Sequence, residues 1–285
     1  MKTSAAKTVN EIFELALSTH YASEKFERSG YKGQVISLYK MAIDKQLGHR
    51  IFNTLTPPVI HKWHLSLKET PYQANRAKSL LSKLFSIAAL YGLVDMGQNP
   101  CSVVPSFPEQ SRRRYASAQE IKKIKELLDD ALYATPQAAV FIYLLLYTGA
   151  RPSSIERAKR SELTVDQNTG TGTLIRVGKT GIETIVIPPQ GMKLLNQLPI
   201  PRDGSLVGCK MPTHLWEKIR KALNAPDLWM RDLRRTFATL GMGAGISIDQ
   251  IAEILGHKTT QTTKIYAKLS HEIQAINALK IAELI

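Results

Sequence analysis

The sequence predicts a mainly α-helical protein with a small β-sheet, built as a helical N-terminal domain followed by an α+β domain. Apolar residues recur at helical spacing from residue 8 to residue 93, and no alternating strand pattern interrupts them. Residues 95–116 then change in composition, and the helical pattern that resumes after them is interrupted by one pair of β-branched runs. These three observations predict the fold class and the domain organisation.

The N-terminal domain, residues 1–94, is predicted to be an all-α bundle. Its first segment places Val9, Ile12 and Phe13 on one broad apolar face. Its third segment follows two prolines, Pro57 and Pro58, which favour the first turn of a helix because the N–H that proline lacks has no intrahelical partner there. In order, the helical segments are TVNEIFELALSTHYASEKFERS, QVISLYKMAIDKQLG, VIHKWHLSLKET and YQANRAKSLLSKLFSIAALYGLV.

Residues 95–116 are predicted to form an extended linker. The segment combines prolines with polar residues and carries the run Arg112-Arg113-Arg114 near its end. An arginine run of this kind is usually solvated, but between two basic domains it would also fit along a phosphate backbone. The sequence leaves both interpretations open.

The second domain, residues 117–285, begins with a helix-start signal. Ser117 is an N-cap residue and Glu120 follows three positions later, which is the pattern of a capping box for AQEIKKIKELLDDALYA. The strongly apolar segment 137–147 predicts a buried helix, and a short helix follows Arg151 and Pro152. Two β-branched runs around the turn GKTG predict a β-hairpin, and helices are predicted for the rest of the chain.

The net charge of +14 favours a polyanionic partner such as a nucleic acid. The surplus of Lys and Arg is spread along the chain rather than gathered in a tail. A generally basic protein without such a partner is the alternative that composition alone leaves open. With 44% hydrophobic and 22% charged residues over 285 positions, the chain has the composition of a folded globular protein.

The two cysteines, Cys101 and Cys209, have no metal-ligand spacing and are too few for a disulfide framework, which indicates a reducing compartment. The first residues, MKTSAAKTVNEIFE, lack the apolar core of a secretory signal. The most apolar run, AAVFIYLLLYTGA, is shorter than the ~20 residues that a membrane-spanning helix needs. We therefore expect a cytoplasmic protein with no membrane partner.

Four short stretches, far apart in the sequence, hold polar residues in unusual places. YTGARPSS ends an apolar helix, VGKTG forms a hairpin turn, RDLRRT opens a helix, and EILGHKTTQTTKIY lies near the C-terminus. Their candidate residues are Arg151, Lys179, Arg231, Arg234, Arg235, His257 and Tyr266. Each alone has an ordinary explanation, such as a helix cap, a solvated turn or core packing. Three arginines at a helix N-terminus are unfavourable, however, unless an anion binds there.

In this order, the four stretches resemble the motifs of the tyrosine recombinase (phage integrase) family. TGAR matches the first arginine motif of that family, GKTG its hairpin lysine, and DLRRTFAT its second arginine motif. LGH, whose histidine precedes a tyrosine by nine residues, matches the last motif. The resemblance is specific over residues 117–270. It is looser over the N-terminal helices, which look like a core-binding domain that ends at Asn99-Pro100, followed by an α+β catalytic domain.

The resemblance implies site-specific DNA breakage and rejoining through a covalent 3'-phosphotyrosyl intermediate, used for integration, excision, inversion or resolution of mobile DNA. It implies Tyr266 as the nucleophile, Arg151 and Arg234 as phosphate ligands, Lys179 as a general acid and His257 as a donor to a non-bridging oxygen. The chemistry agrees, because guanidinium groups stay protonated and match phosphate in geometry, while a phenolate can leave again when the strand is resealed. The sequence has no carboxylate cluster of the two-metal type, so we expect neither a metal nor a cofactor.

The sequence departs from the family pattern at two positions. Arg231 stands where the family has histidine, and a guanidinium can bind phosphate but cannot accept a proton as a general base. Ser154 stands where the family usually has an acidic residue, for which Glu156 is a nearby substitute. A DNA-binding relative that no longer cleaves is therefore the alternative function. A basic helical protein that binds RNA is a third class.

The expected partner is double-stranded DNA with paired recombination sites, and the protein is expected to be bacterial or phage-encoded and associated with the nucleoid. Asn75, Arg76 and Lys83, on a polar face of the fourth helix, and Arg235 are candidate DNA contacts, with simple solvation as the alternative. The resemblance also implies a homo-oligomer, with a dimer on each site and a tetramer in synapsis, and accessory DNA-bending or directionality proteins. The apolar final helix, residues 272–285, is expected to dock on a neighbouring protomer or to pack on its own domain.

Overall fold

The computed structural model describes residues 7–256 apart from residues 25, 27–29, 96, 98, 111 and 179–180. The chain divides into two compact units, residues 1–111 and residues 112–285, and each has its own hydrophobic core. The predicted fold class is confirmed, because the described part is mainly helical and holds a three-stranded antiparallel sheet. No helix of this part combines the length and the apolar character that crossing a membrane requires.

The first unit is built from helices, as the periodicity predicts. They are α1 (Val9–Ser18), α2 (Tyr31–Tyr39) with its π-helical continuation (Lys40–Gly48), a 3-10 helix (Phe52–Thr54), α3 (Pro57–Ser66) and α4 (Pro71–Leu90). Thr8 and Glu11 form a capping box at the start of α1. Helices α3 and α4 both have proline in their first turn, which lowers the cost of starting them.

The core of the first unit brings together side chains from α1, the π-helical segment and α4. Ile12, Ile43 and Leu81 are completely buried in it. Part of the segment predicted as a linker belongs to the same core, because Cys101 and Val104 are buried there. The apolar faces of the helices therefore shield one another from water, and they shield this short segment as well.

The second unit holds further helices among its described residues. They are α5 (Ala118–Ala134), α6 (Pro136–Thr148), α7 (Pro152–Arg157), a 3-10 helix (Arg160–Glu162), α8 (Pro189–Asn196), α9 (Thr213–Ala222), α10 (Asp232–Gly243) and α11 (Ile248–Ile254). The capping box of α5 is confirmed, since Ser117 and Glu120 each accept a hydrogen bond from the backbone N–H of the other. Helix α6 supplies a run of completely buried side chains to the core, as its apolar sequence predicts.

The sheet of the second unit has the order β1 (Leu163–Val165), β2 (Gly172–Gly178) and β3 (Gly181–Ile187). Both pairings are antiparallel, and the β2–β3 hairpin confirms the prediction. Strand β1 was not predicted, because three residues are too few to show an alternating pattern. Leu174 and Ile185, paired across β2 and β3, point into the core of the unit.

Both cysteines are packed in the cores. Cys101 is buried in the first unit, and Cys209 is partly buried against the core of the second. Burial raises the pKa of the Cys101 thiol to about 12 and that of the Cys209 thiol to about 11. Because the thiolate is the reactive form, neither cysteine is a candidate for the chemistry near neutral pH.

Candidate active site

Arg234, in the first turn of α10, joins three of the four stretches that the sequence singles out. Its Nη1 donates to the carbonyl oxygen of Gly149 at 3.0 Å, and its Nη2 donates to that of Leu255 at 2.6 Å. Gly149 belongs to TGAR and Leu255 to LGH. A planar guanidinium can serve both acceptors because its N–H groups point in fixed directions. Three stretches of the chain therefore meet at one side chain.

Gly149 allows this meeting because it has no side chain. It caps the C-terminus of α6 in the left-handed region, at φ 62°. A Cβ at this position would lie 2.6 Å from the ring of Phe237 and 2.8 Å from the side chain of Leu255. The end of α6 can therefore approach α10 closely only with glycine here.

We expect Gly149→Ala to lower the free energy of unfolding by about 2–4 kcal/mol, since left-handed backbone strain adds to the steric overlap. Gly243→Ala is the matched control, because a Cβ at Gly243 meets no atom within 4 Å. Urea denaturation followed by circular dichroism measures both variants. Equal stability of the two would contradict a requirement for glycine at position 149.

Arg151 lies at the start of α7, and its side chain is 46% exposed. Its Nη1 lies 3.3 Å from Oε1 of Glu183 on β3, and the same oxygen accepts a hydrogen bond from the Ser154 hydroxyl at 2.9 Å. Glu156 is not the substitute acidic partner that the sequence suggested, because its carboxylate accepts the N–H of Met211 at 3.1 Å. The carboxylate beside Arg151 comes from the hairpin instead.

Asp232 supplies an internal anion at the arginine-rich start of α10. Its side chain is completely buried. The carboxylate accepts hydrogen bonds from Arg112 Nη2 at 2.7 Å, from Arg235 Nη1 at 2.7 Å and from the N–H of Trp229 at 2.8 Å. It also lies in the first helical turn, where the helix dipole favours negative charge. Arg235, predicted as a DNA contact, therefore already has an anionic partner inside its own unit.

The arginine run divides between two roles. Arg112 binds Asp232, and Arg114 binds Glu120 and, at 2.9 Å, Asp227. The hydrogen bond from Arg114 holds the pKa of the Glu120 carboxyl below its usual value. Arg113, between the two, is exposed. The run is thus partly integrated into the second unit, and Arg113 is its solvent-facing member.

Arg231, in the position of the family's histidine, is exposed beside Trp229. Its guanidinium carbon lies 4.2 Å from the centre of the Trp229 ring, and that of Arg112 lies 4.3 Å from it. A cation over an aromatic face is held by the ring quadrupole. Trp229 therefore orients Arg231 while the side chain stays accessible to solvent.

The candidate DNA contacts on α4 differ from one another. Arg76 and Lys83 are both exposed, and their spacing of seven residues puts them on the same helix face. Asn75 is only 8% exposed, and its side-chain amide donates to the carbonyl oxygen of Phe107 at 2.9 Å and to the carboxylate of Glu109 at 2.7 Å. The side chain of Asn75 holds a neighbouring segment of its own unit. Arg76 and Lys83 are therefore the candidate DNA contacts on this helix.

Lys179, His257 and Tyr266 lie outside the described residues, as does the predicted final helix over residues 272–285. Strand β2 ends at Gly178 and β3 begins at Gly181, on either side of Lys179 in the sequence. Helix α11 ends shortly before His257. The roles of these three residues and the docking of the final helix stay predictions.

Comparison with known proteins shows which family the chain resembles. Residues 209–272 match the model of the phage integrase family. The chain is 28% identical over 257 residues to the tyrosine recombinase XerA of Saccharolobus solfataricus, a match that covers 85% of this chain and 84% of XerA. The chain is similar to the tyrosine recombinase (phage integrase) family in sequence, and its fold is that of an integrase. A putative prophage phiRv2 integrase of Mycobacterium tuberculosis is 23% identical over 275 residues, which cover 84% of this chain and 71% of that integrase.

The recombinase fold extends over both units. A crystal structure of a lambda integrase dimer bound to a COC' core site has a TM-score of 0.70 and 18% identity, and the match covers 93% of this chain and 97% of that one. The segment that matches the family model contains the second arginine motif and the stretch that ends in Tyr266. The motifs at Arg151 and Lys179 precede it in the chain.

Proposed function

We propose that this protein is a tyrosine recombinase that breaks and rejoins DNA at specific sites through a covalent 3'-phosphotyrosyl intermediate. The observation that carries the proposal is the contact of Arg234 with the carbonyl groups of Gly149 and Leu255. Arg151 and His257 each follow one of these residues by two positions. The family motifs assign Arg151 and His257 to the same phosphate as Arg234, and the contact of Arg234 with Gly149 and Leu255 supports that assignment.

In the proposed reaction the Tyr266 oxygen attacks the scissile phosphorus and the sugar 5'-oxygen leaves. The pentavalent state carries extra negative charge on its non-bridging oxygens, which Arg151 and Arg234 neutralise. The exposure of Arg151 supports this role, since its remaining N–H groups can reach a phosphate. Lys179 protonates the departing oxygen and His257 donates to a non-bridging oxygen. The phosphotyrosyl bond conserves the energy needed for resealing.

The proton of Tyr266 needs an acceptor other than Arg231, because a guanidinium stays protonated at any working pH. We propose that water accepts it and that cleavage is slower than with histidine in this position. The stacking of Arg231 near Trp229 agrees with an electrostatic role. The same feature is compatible with the second candidate function, a DNA-binding relative that does not cleave.

We propose that the substrate is a DNA duplex bound by two protomers, as for the lambda integrase dimer on its core site. Synapsis of two such complexes, with accessory DNA-bending or directionality proteins, would take place on cytoplasmic DNA. Arg76 and Lys83 are the proposed phosphate contacts of the first unit. Such contacts release counterions, so affinity for the duplex should fall steeply as salt increases.

The deciding experiment traps the covalent intermediate. Footprinting of DNA next to the protein's own gene identifies the protected site, and a duplex of that sequence with a nick beside the cleavage position lets the short cleaved fragment diffuse away. We expect an adduct that survives denaturation, with the nucleotide on the Tyr266 peptide, and no adduct with Tyr266→Phe. Duplex binding without an adduct favours the non-cleaving relative, and preference for structured RNA would contradict both functions.

A further inference from the structure

We propose that Glu183 is a positioning residue that takes over from the acidic side chain missing at Ser154 and holds Arg151 for the scissile phosphate. The inference rests on the proposed function, because it concerns the same reaction. Glu183 lies 32 residues from Arg151 and 29 residues from Ser154 in the sequence. No motif spacing therefore indicates it.

One carboxylate oxygen of Glu183 serves two donors, the Ser154 hydroxyl at 2.9 Å and Arg151 Nη1 at 3.3 Å. The Glu183 side chain is 16% exposed, so its attraction to a cation is screened less than in water. The contact occupies only one of the five N–H donors of the guanidinium. Glu183 can therefore orient Arg151 and leave it free to bind a phosphate.

The strand partner of Glu183 contacts the same serine. Arg176 pairs with Glu183 in the β2–β3 register, and its Nη1 donates to the carbonyl oxygen of Ser154 at 2.7 Å. Ser154 is thus held through its hydroxyl by one strand and through its carbonyl by the other. A serine suits this position because it donates a hydrogen bond to the carboxylate, whereas an acidic residue would place two carboxylates side by side.

The hairpin becomes exposed just beyond this contact. The next pair toward the turn, Val177 and Ile182, is 84% and 80% exposed, so the hairpin projects into solvent beyond the pair Arg176 and Glu183. In the sequence, Lys179 comes directly after the last residue of β2. One carboxylate therefore couples the orientation of Arg151 to the base of the hairpin that carries the proposed general acid.

The first test is single-turnover cleavage of the nicked duplex by the full chain at saturating protein. We expect Glu183→Gln to slow cleavage by about 10- to 100-fold with little change in DNA affinity, and Glu183→Asp to recover part of the loss. Glu126→Gln, which removes the carboxylate of an exposed ion pair with Lys123, is the matched control and should keep the wild-type rate. A wild-type rate for Glu183→Gln, or equal losses of rate and affinity, would overturn the proposal.

The second test moves the carboxylate from position 183 to position 154. Ser154→Asp alone should slow cleavage, because the new carboxylate faces Glu183, and adding Glu183→Ser should restore the rate. A scissile phosphate with a methyl group in place of one non-bridging oxygen needs less positive charge, so it should shrink the defect of Glu183→Gln. A defect of the same size on this substrate, or no recovery in the double variant, contradicts action through Arg151.

Failure of the proposed function has a separate signature, which is that the wild-type chain forms no adduct. The inference is then tested by the free energy of unfolding in a double-mutant cycle of Arg151→Ala and Glu183→Gln. If Glu183 holds Arg151, the second substitution costs little further stability once Arg151 is gone. Additive losses of stability would reject the inference whether or not the protein cleaves DNA.

Discussion

Arg234→Ala is expected to slow cleavage of the nicked duplex by about 1,000-fold, since it removes a charge that stabilises the transition state. It also removes the hydrogen bonds to Gly149 and Leu255 that bring the TGAR and LGH stretches together. Arg234→Lys should recover only part of the rate. Its ammonium keeps the charge, but it lacks the planar fork that reaches both carbonyl groups and a phosphate.

The measurement is single-turnover cleavage at saturating protein, with the unfolding transition recorded for each variant to establish that it is folded. Arg202→Ala removes an exposed arginine of the same unit and is the control for the loss of one positive charge. A rate for Arg234→Ala close to that of Arg202→Ala would exclude Arg234 from the active site.

Asp232→Ala is expected to lower the free energy of unfolding by about 3–5 kcal/mol, because it leaves Arg112 and Arg235 without their shared buried anion. The N–H of Trp229 loses its acceptor as well. Asp232→Asn should recover little of this loss. An amide carries no charge, and its NH₂ group would face donors rather than acceptors.

Urea denaturation of the protein, followed by tryptophan fluorescence that includes Trp229, measures this change. Asp130→Ala is the matched control, since Asp130 is exposed on α5 and its loss should change stability by a few tenths of a kcal/mol. Equal stability of the Asp232→Ala and Asp130→Ala variants would show that the arginines at the start of α10 do not depend on Asp232.

Short-range patterns predicted much of the fold. The capping box of Ser117 and Glu120, the buried helix α6 and the β2–β3 hairpin are all present, because each depends on residues a few positions apart. The π-helical continuation of α2 and the strand β1 were not predicted, since neither has a pattern long enough to recognise.

The candidate site was predicted less completely. Arg151 and Arg234 stay predicted site residues. Asn75 binds a neighbouring segment, and helical spacing cannot distinguish such a residue from a polar residue that faces solvent. Asp232 lies in the RDLRR stretch, and its place in the first turn of the helix could have indicated an internal anion there. Glu183 had no such signal.

Local sequence was therefore sufficient for the helices, the hairpin and the order of the motif residues, because caps, prolines and periodicity act over one or two turns. Only the tertiary structure decided how the charges are paired. Arg234 meets a carbonyl 85 residues away, Arg112 meets a carboxylate 120 residues away, and Arg151 meets Glu183 across 32 residues. These pairings depend on how α6, α10 and the hairpin pack within the second unit, and no spacing along the chain encodes that packing.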